Sequence, residues 1–432
     1  MSKLQFINPD HKRKIITQLK QPLFSNAAYL LGVDIVTALG GVIFWGLAAR
    51  LYRAEDVGLA NATISAVSLV SMIAGMGLAT TLMRFLPEAR FPIKFINTIY
   101  TTNIVSVLLV GGVYLVGLPL WSPSLTPLIH NHLEKIGFLI FAIVLTLATL
   151  GRVTFLSRRK VAYFFIFTVT IQIIRVFFIL IRSDWGVLGL VASIGFAFFL
   201  GVTLNISVFL PKILPGYKFR LHFNWSELIR LAPYSTSDYI SVLFYQSPIL
   251  ILPLMILGIL GPASAGHAAI ALMIGTLMLS PGLALAGSAF AEGVNSPASI
   301  NIIQIKAGAP GLLLTALGAL VVVLAAPWLL LFFGPDYAQE ATGLLRLLAL
   351  AAPFTVATSF YFSRLRVKKE MGRLILLSII LPVFILGVSA VLLPRIGLAA
   401  SGIGWLLAHC FVTIIVVGRA TRNYIVSGVV EV

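Results

Sequence analysis

From Ala27 to Ala49 every residue but one is apolar, small or only mildly polar, and that single fact restricts the fold more than any other. The exception is Asp34. About 20 residues at about 1.5 Å rise per residue cross a hydrocarbon core of about 30 Å. Arg50, Arg53, Glu55 and Asp56 then end the run, and Gly58 to Leu82 reads as a helix crossing back. Further apolar spans follow at 96–120, 136–155, 161–181, 187–210, 231–257, 265–290, 309–333, 342–362, 374–393 and 397–417. Twelve spans predict an all-α polytopic membrane protein. The mean hydropathy of +1.02 and a hydrophobic share of 59%, against roughly 45–50% in soluble domains, agree with that class.

The net charge of +17 would fit nucleic acid if the basic residues formed one stripe. They occupy alternate loops instead. With the N-terminus inside, 23 of the 31 Lys and Arg fall in inner segments and 5 in outer loops. Basic residues mark the cytoplasmic side, so both termini are expected there and nucleic acid is not an expected partner. The expected organisation is a basic cytoplasmic segment 1–24, a six-helix lobe 25–210, a cytoplasmic linker 211–230, a second six-helix lobe 231–418 and a tail 419–432. In the linker, Asn224 and Glu227 have the spacing of a capping box, which predicts a short surface helix ending at Pro233. Cys410, the single cysteine, lies in the last span and forms no internal disulfide.

The halves echo each other. Gly77-Leu78-Ala79 through Phe85 returns as Gly282-Leu283-Ala284 through Phe290, and Gly58 and Gly266 open the second helix of each half. Two lobes in parallel repeat around a central cavity are expected.

Polar residues inside the spans supply the candidate site. Tyr234, Asp238, Ser241 and Tyr245 share one face of the seventh helix, with Gln246 beside them. Asp34, Thr37, Gly41 and Trp45 form a similar stripe on the first. Such stripes face an aqueous cavity, or else Asp34 and Asp238 sit in interfacial water near their helix ends and assist packing. Hydroxyls, carboxylates and aromatic rings suit sugar recognition. On the fifth helix Gln172 and Arg175 lie three apart on one face. Arg175 either meets an anion inside the protein or snorkels outward toward Arg182. Arg152 reads as a snorkelling residue, and His267 as an interfacial one. No HExxH, CxxC or GxxxxGK[ST] motif occurs, and no loop is long enough for a catalytic domain, so an enzyme is not expected.

Leu51-Tyr52-Arg53-Ala54-Glu55-Asp56-Val57-Gly58 followed by Arg84-Phe85-Leu86-Pro87-Glu88 resembles the first hairpin of polysaccharide flippases. Phe333-Gly334-Pro335-Asp336-Tyr337 and Leu344-Leu345-Arg346-Leu347-Leu348-Ala349-Leu350-Ala351 extend the resemblance into the second half. The family is the Wzx-like polysaccharide-transporter branch of the multidrug/oligosaccharidyl-lipid/polysaccharide exporter superfamily. The resemblance implies a flippase of the cell membrane that moves a polyprenyl-diphosphate-linked oligosaccharide from the inner to the outer leaflet by alternating access. It implies no cofactor, possible coupling to a proton or sodium gradient, and membrane lipids and other polysaccharide assembly proteins as partners. An ion-coupled multidrug/cation antiporter of the same superfamily is the alternative, kept open by Asp34.

Overall fold

The computed structural model describes residues 22–181 and 183–427. The first 21 residues of the basic N-terminal segment and the tail beyond 427 lie outside the described residues. So do the side chains of Glu227, Tyr234 and Asp238. The described chain is all-helical, and twelve helices are long and apolar enough to cross a membrane, as expected of a multi-pass membrane protein. They are α1 (Pro22–Leu51), α2 (Ala54–Ala74), α3 (Pro92–Val116), α4 (His132–Ser157), α5 (Val161–Ile181), α6 (Gly186–Leu204), α7 (Trp225–Leu260), α8 (Pro262–Asn295), α9 (Ile300–Leu331), α10 (Pro335–Val367), α11 (Met371–Ile396) and α12 (Ala399–Ser427).

Local chemistry sets several ends. Gly261 and Gly334 take φ values of 86° and 151°, and each is followed by a proline at the first helical position, where a missing N–H costs nothing. Asn131 and Glu134 form a reciprocal capping box that starts α4, a device the sequence reading did not single out.

Two expected elements differ. The second span is not one helix to Leu82: α2 stops at Ala74, Met76 and Gly77 take left-handed φ values of 45° and 72°, and a short helix Leu78–Phe85 follows. Gly77 takes its left-handed φ at no steric cost, and apolarity alone does not reveal the break. The linker helix, conversely, does not end at Pro233. It starts at Trp225, one residue after Asn224, and runs unbroken to Leu260. A proline removes one hydrogen bond and kinks a helix, but need not end it when both flanking turns remain helical. The linker itself is strapped to α3: Asn97 Nδ2 donates to the Lys218 carbonyl at 3.0 Å, and the His222 N–H donates to Thr101 Oγ1 at 3.0 Å.

Helix pairing repeats at an offset of six. The first helix packs on the fifth in the first lobe, α1 on α5, and α7 packs on α11 in the second. The same holds for α3 with α4 and α9 with α10, and for α4 with α6 and α10 with α12. Between the lobes the main contact is α2 with α8. At its closest point Gly58 lies against the Pro262 carbonyl and Gly266 against the Ala54 carbonyl, so that a Cβ on either glycine would overlap backbone. This reciprocal contact leaves no room for a side chain, which is why glycine stands at both positions.

The hydrophobic core is not uniform with depth. Away from the basic loops one continuous core crosses both lobes, joining Phe44, Val57 and Ile179 of the first to Leu257, Ala268 and Leu330 of the second. Toward the basic loops it divides. The first lobe has its own core around Phe95, Leu147 and Phe167, and the second has separate cores around Leu374 and Phe360. The lobes are fused at one end and individually packed at the other.

Candidate functional site

The polar groups of the first lobe gather where α1 meets α5. A face of small residues on α1 admits bulky neighbours: Gly32 lies against Phe165, Gly40 against the Gln172 amide, and Gly41 lies 3.9 Å, from a Cβ position, to Arg175 Nη2. The Arg175 guanidinium sits 4.9 Å from the centre of the Phe44 ring, a cation–π contact worth about 2 kcal/mol when desolvated. Its Nε and Nη2 are buried without a hydrogen-bond partner, and so is Gln172 Oε1. A guanidinium snorkelling to the surface would have those donors in water. Arg175 also lies between Ile171, which belongs to the first lobe's own core, and Ile179, which belongs to the shared core. It therefore stands at the depth where the shared core gives way to the first lobe's own.

Asp34 and Thr37 are exposed on the strip of α1 beside this contact, while Gly41 and Trp45 are half-buried. The Trp45 ring meets Phe44 edge-on at 5.3 Å. No ion pair joins Asp34 to Arg175 among the described residues. Asp34 is instead within electrostatic reach of Arg152 on α4. Arg152 is exposed.

Of the α7 stripe, the described side chains Ser241, Tyr245 and Gln246 lie within the second lobe. Ser241 is buried. The Tyr245 ring packs 5.2 Å from Phe362 of α10, and Tyr245 and Gln246 line a hollow of about 130 Å³ within the second lobe. Across it are Trp405 and His409 of α12, one helical turn apart, with Thr276 of α8. Trp405 Nε1 donates to Thr355 Oγ1 at 3.3 Å, and His409 Nδ1 is 3.2 Å from Thr358 Oγ1. Sequence reasoning passed over Trp405 and His409. The available signal was an imidazole inside an apolar span, with an indole at i−4 on the same face. Trp405 lies between Ala400 of the shared core and Ala408 of the second lobe's core, so this hollow too begins where the lobes part.

Two further placements were not anticipated. Tyr239 Oη reaches across to the end of α2, 2.8 Å from the Met72 carbonyl and 2.6 Å from that of Ile73. It ties the lobes at the basic end, just before the break at Gly75–Gly77. At the opposite end Arg50 donates through Nε and Nη2 to the Phe332 carbonyl, at 3.0 and 2.6 Å. His267, expected at the interface with water, is 8% exposed and meets the Tyr337 ring edge-on at 5.0 Å, because the close approach at Gly266 draws its turn of α8 into the shared core.

By sequence the chain matches no described protein family and no curated protein. By structure it resembles solved transporters. A lipid II flippase, MurJ, in an inward closed conformation superposes with a TM-score of 0.70 at 13% identity, over 90% of this chain and 87% of that one. A MATE-family multidrug resistance transporter of the MOP superfamily, in an inward-facing conformation, gives 0.64 at 14% identity, over 88% and 92%. The MATE multidrug transporter DinF-BH gives 0.59 at 14%, over 98% of each chain. The chain has the two-lobe fold of MOP-superfamily transporters.

Proposed function

We propose that this protein is a flippase that moves a polyprenyl-diphosphate-linked oligosaccharide from the inner to the outer leaflet of the cytoplasmic membrane, for cell-surface polysaccharide synthesis. The observation that carries the reading is Arg175: a guanidinium with buried, unpartnered donors at the depth where the hydrophobic core divides. Leaving a buried charged donor unpaired costs several kcal/mol, which supports an anionic group of the cargo as its partner. A planar fork of donors matches diphosphate or carboxylate oxygens. Sugars follow the diphosphate into the gap between separately packed lobes, and the polyprenyl chain stays in lipid. Rocking of the lobes about the α2–α8 contact then exposes the gap to either side. The positive-inside pattern supports a cytoplasmic position for the basic loops and both termini. Enzymes that assemble and polymerise the glycan would be its partners.

Reconstitution tests this directly. Vesicles containing the protein should flip a fluorescent polyprenyl-diphosphate oligosaccharide faster than empty vesicles, and an unlabelled diphosphate-linked analogue should compete. Exposed Asp34 supports the second reading, an ion-coupled antiporter for cationic drugs, in which a carboxylate trades a proton or sodium ion for the cation. Under that reading the same vesicles extrude a cationic dye down an imposed ion gradient and leave the lipid-linked sugar unflipped.

A further inference from the structure

A second concave site lies at the basic end of the second lobe, apart from the hollow that holds His409. It is a cleft of about 790 Å³ between the start of α9 and the α10–α11 turn. Arg364 of α10, Lys368 just after its end and Arg373 of α11 line it together with one carboxylate, Glu370. Arg373 Nη1 neutralises that carboxylate at 2.5 Å, and neither Arg364 nor Lys368 has an ion-pair partner among the described residues. The mouth thus presents two uncompensated cations one helical turn apart. Below them the wall becomes apolar, with Ile305, Ala309 and Leu312 of α9 facing Phe360. Gln304 Nε2 donates to the Phe360 carbonyl at 2.6 Å and fixes α9 against α10 at this level. The groove continues onto a helix whose outer side is bare: Ile305 is 71% exposed and Leu313 62%.

We propose that this cleft is a binding site for one anionic phospholipid. The phosphate sits between Arg364 and Lys368, and an acyl chain runs along Ile305, Ala309 and Leu312. The order of the walls distinguishes the occupant. A site for free phosphate needs only the two cations, whereas these cations cap an apolar groove that begins at headgroup level and descends into hydrocarbon. An anionic headgroup is attracted by about 1 kcal/mol for each nearby Lys or Arg, about fivefold in occupancy. A zwitterionic headgroup carries its own cation and loses that preference.

Native mass spectrometry of the full-length protein, released from detergent with added lipid, reads the site. Phosphatidylglycerol should be retained about tenfold or more over phosphatidylcholine of the same chains. Lys368→Gln, at an exposed position that the fold tolerates, should lower phosphatidylglycerol retention about fivefold, and adding Arg364→Gln should bring it to the phosphatidylcholine level. Ala309→Trp, which fills the groove and leaves the charges intact, should also abolish retention. Arg159→Gln at the α4–α5 turn serves as a charge control and should change nothing. Equal retention of the two lipids, or retention unaffected by Lys368→Gln, overturns the assignment. Displacement of the lipid by millimolar glycerol 1-phosphate would mean a soluble-anion site and would overturn it as well.

Discussion

At the scale of single residues, the account turns on charges that lack partners. Arg175 stacks on Phe44 with two buried nitrogens unsatisfied. If it holds the anionic part of the cargo, Arg175→Gln should cut export at least about a hundredfold at matched membrane abundance, since a charge-assisted bidentate contact is worth about 3 kcal/mol. Arg175→Lys should recover only part, because an ammonium cannot fork across two oxygens or stack in the same way. The readout is surface glycan in cells lacking the native gene, with abundance measured alongside. Asp34→Asn keeps size and hydrogen bonding while removing the charge. Loss of transport that appears only under an imposed proton or sodium gradient would assign it to coupling, and wild-type behaviour under every gradient would exclude it. The sequence made Arg175, Gln172 and Asp34 visible because a polar residue in an apolar run is conspicuous. It did not show that Asp34 forms no ion pair with Arg175 among the described residues, since relative depth along two helices is a tertiary property. Nor did it single out Tyr239, whose hydroxyl matters only because the end of α2 lies opposite it.

Among the elements, the α2–α8 crossing is the closest contact between the lobes and the joint about which the proposed rocking would turn. Gly58 and Gly266 were legible as helix openers, and their reciprocal contact was not, because a glycine in a helix signals close approach without naming the neighbour. Gly58→Leu forces a side chain into the Pro262 carbonyl and should destabilise the fused end by about 1–3 kcal/mol. A lowered melting temperature of the purified protein, with greater protease sensitivity at the α1–α2 and α7–α8 turns, is the expected result. Gly112→Leu is the matched control, because nothing lies within 4 Å of a Cβ there, and it should leave the melting temperature unchanged. The number of spans could be read from apolar length alone. Their interruptions could not: left-handed Met76 and Gly77 break the second span, whereas Pro233 leaves the seventh intact. Backbone punctuation is a weak signal inside an apolar run, where the surrounding membrane and neighbouring helices decide whether a break is tolerated.

For the whole molecule, the division of the hydrophobic core is the property on which the proposed transport cycle rests. A core shared by both lobes at one end and split at the other puts the Gly58–Gly266 contact and the Arg50–Phe332 tie at the fused end, so separation at the basic loops would have to break the hydrogen bonds from Tyr239 to the Met72 and Ile73 carbonyls. The parallel repeat was foreshadowed by the Gly77 and Gly282 echo, but the depth at which the core divides is a property of packing that no linear pattern carries. Alternating access requires that the basic end close when the opposite end opens. Spin labels at Lys160→Cys and Lys369→Cys, in a Cys410→Ser background, report the distance between lobes across the basic end by pulsed electron–electron resonance in lipid nanodiscs. The account predicts two distance populations, with the shorter one enriched when lipid-linked oligosaccharide is added. A single distance that does not respond to the cargo would contradict it.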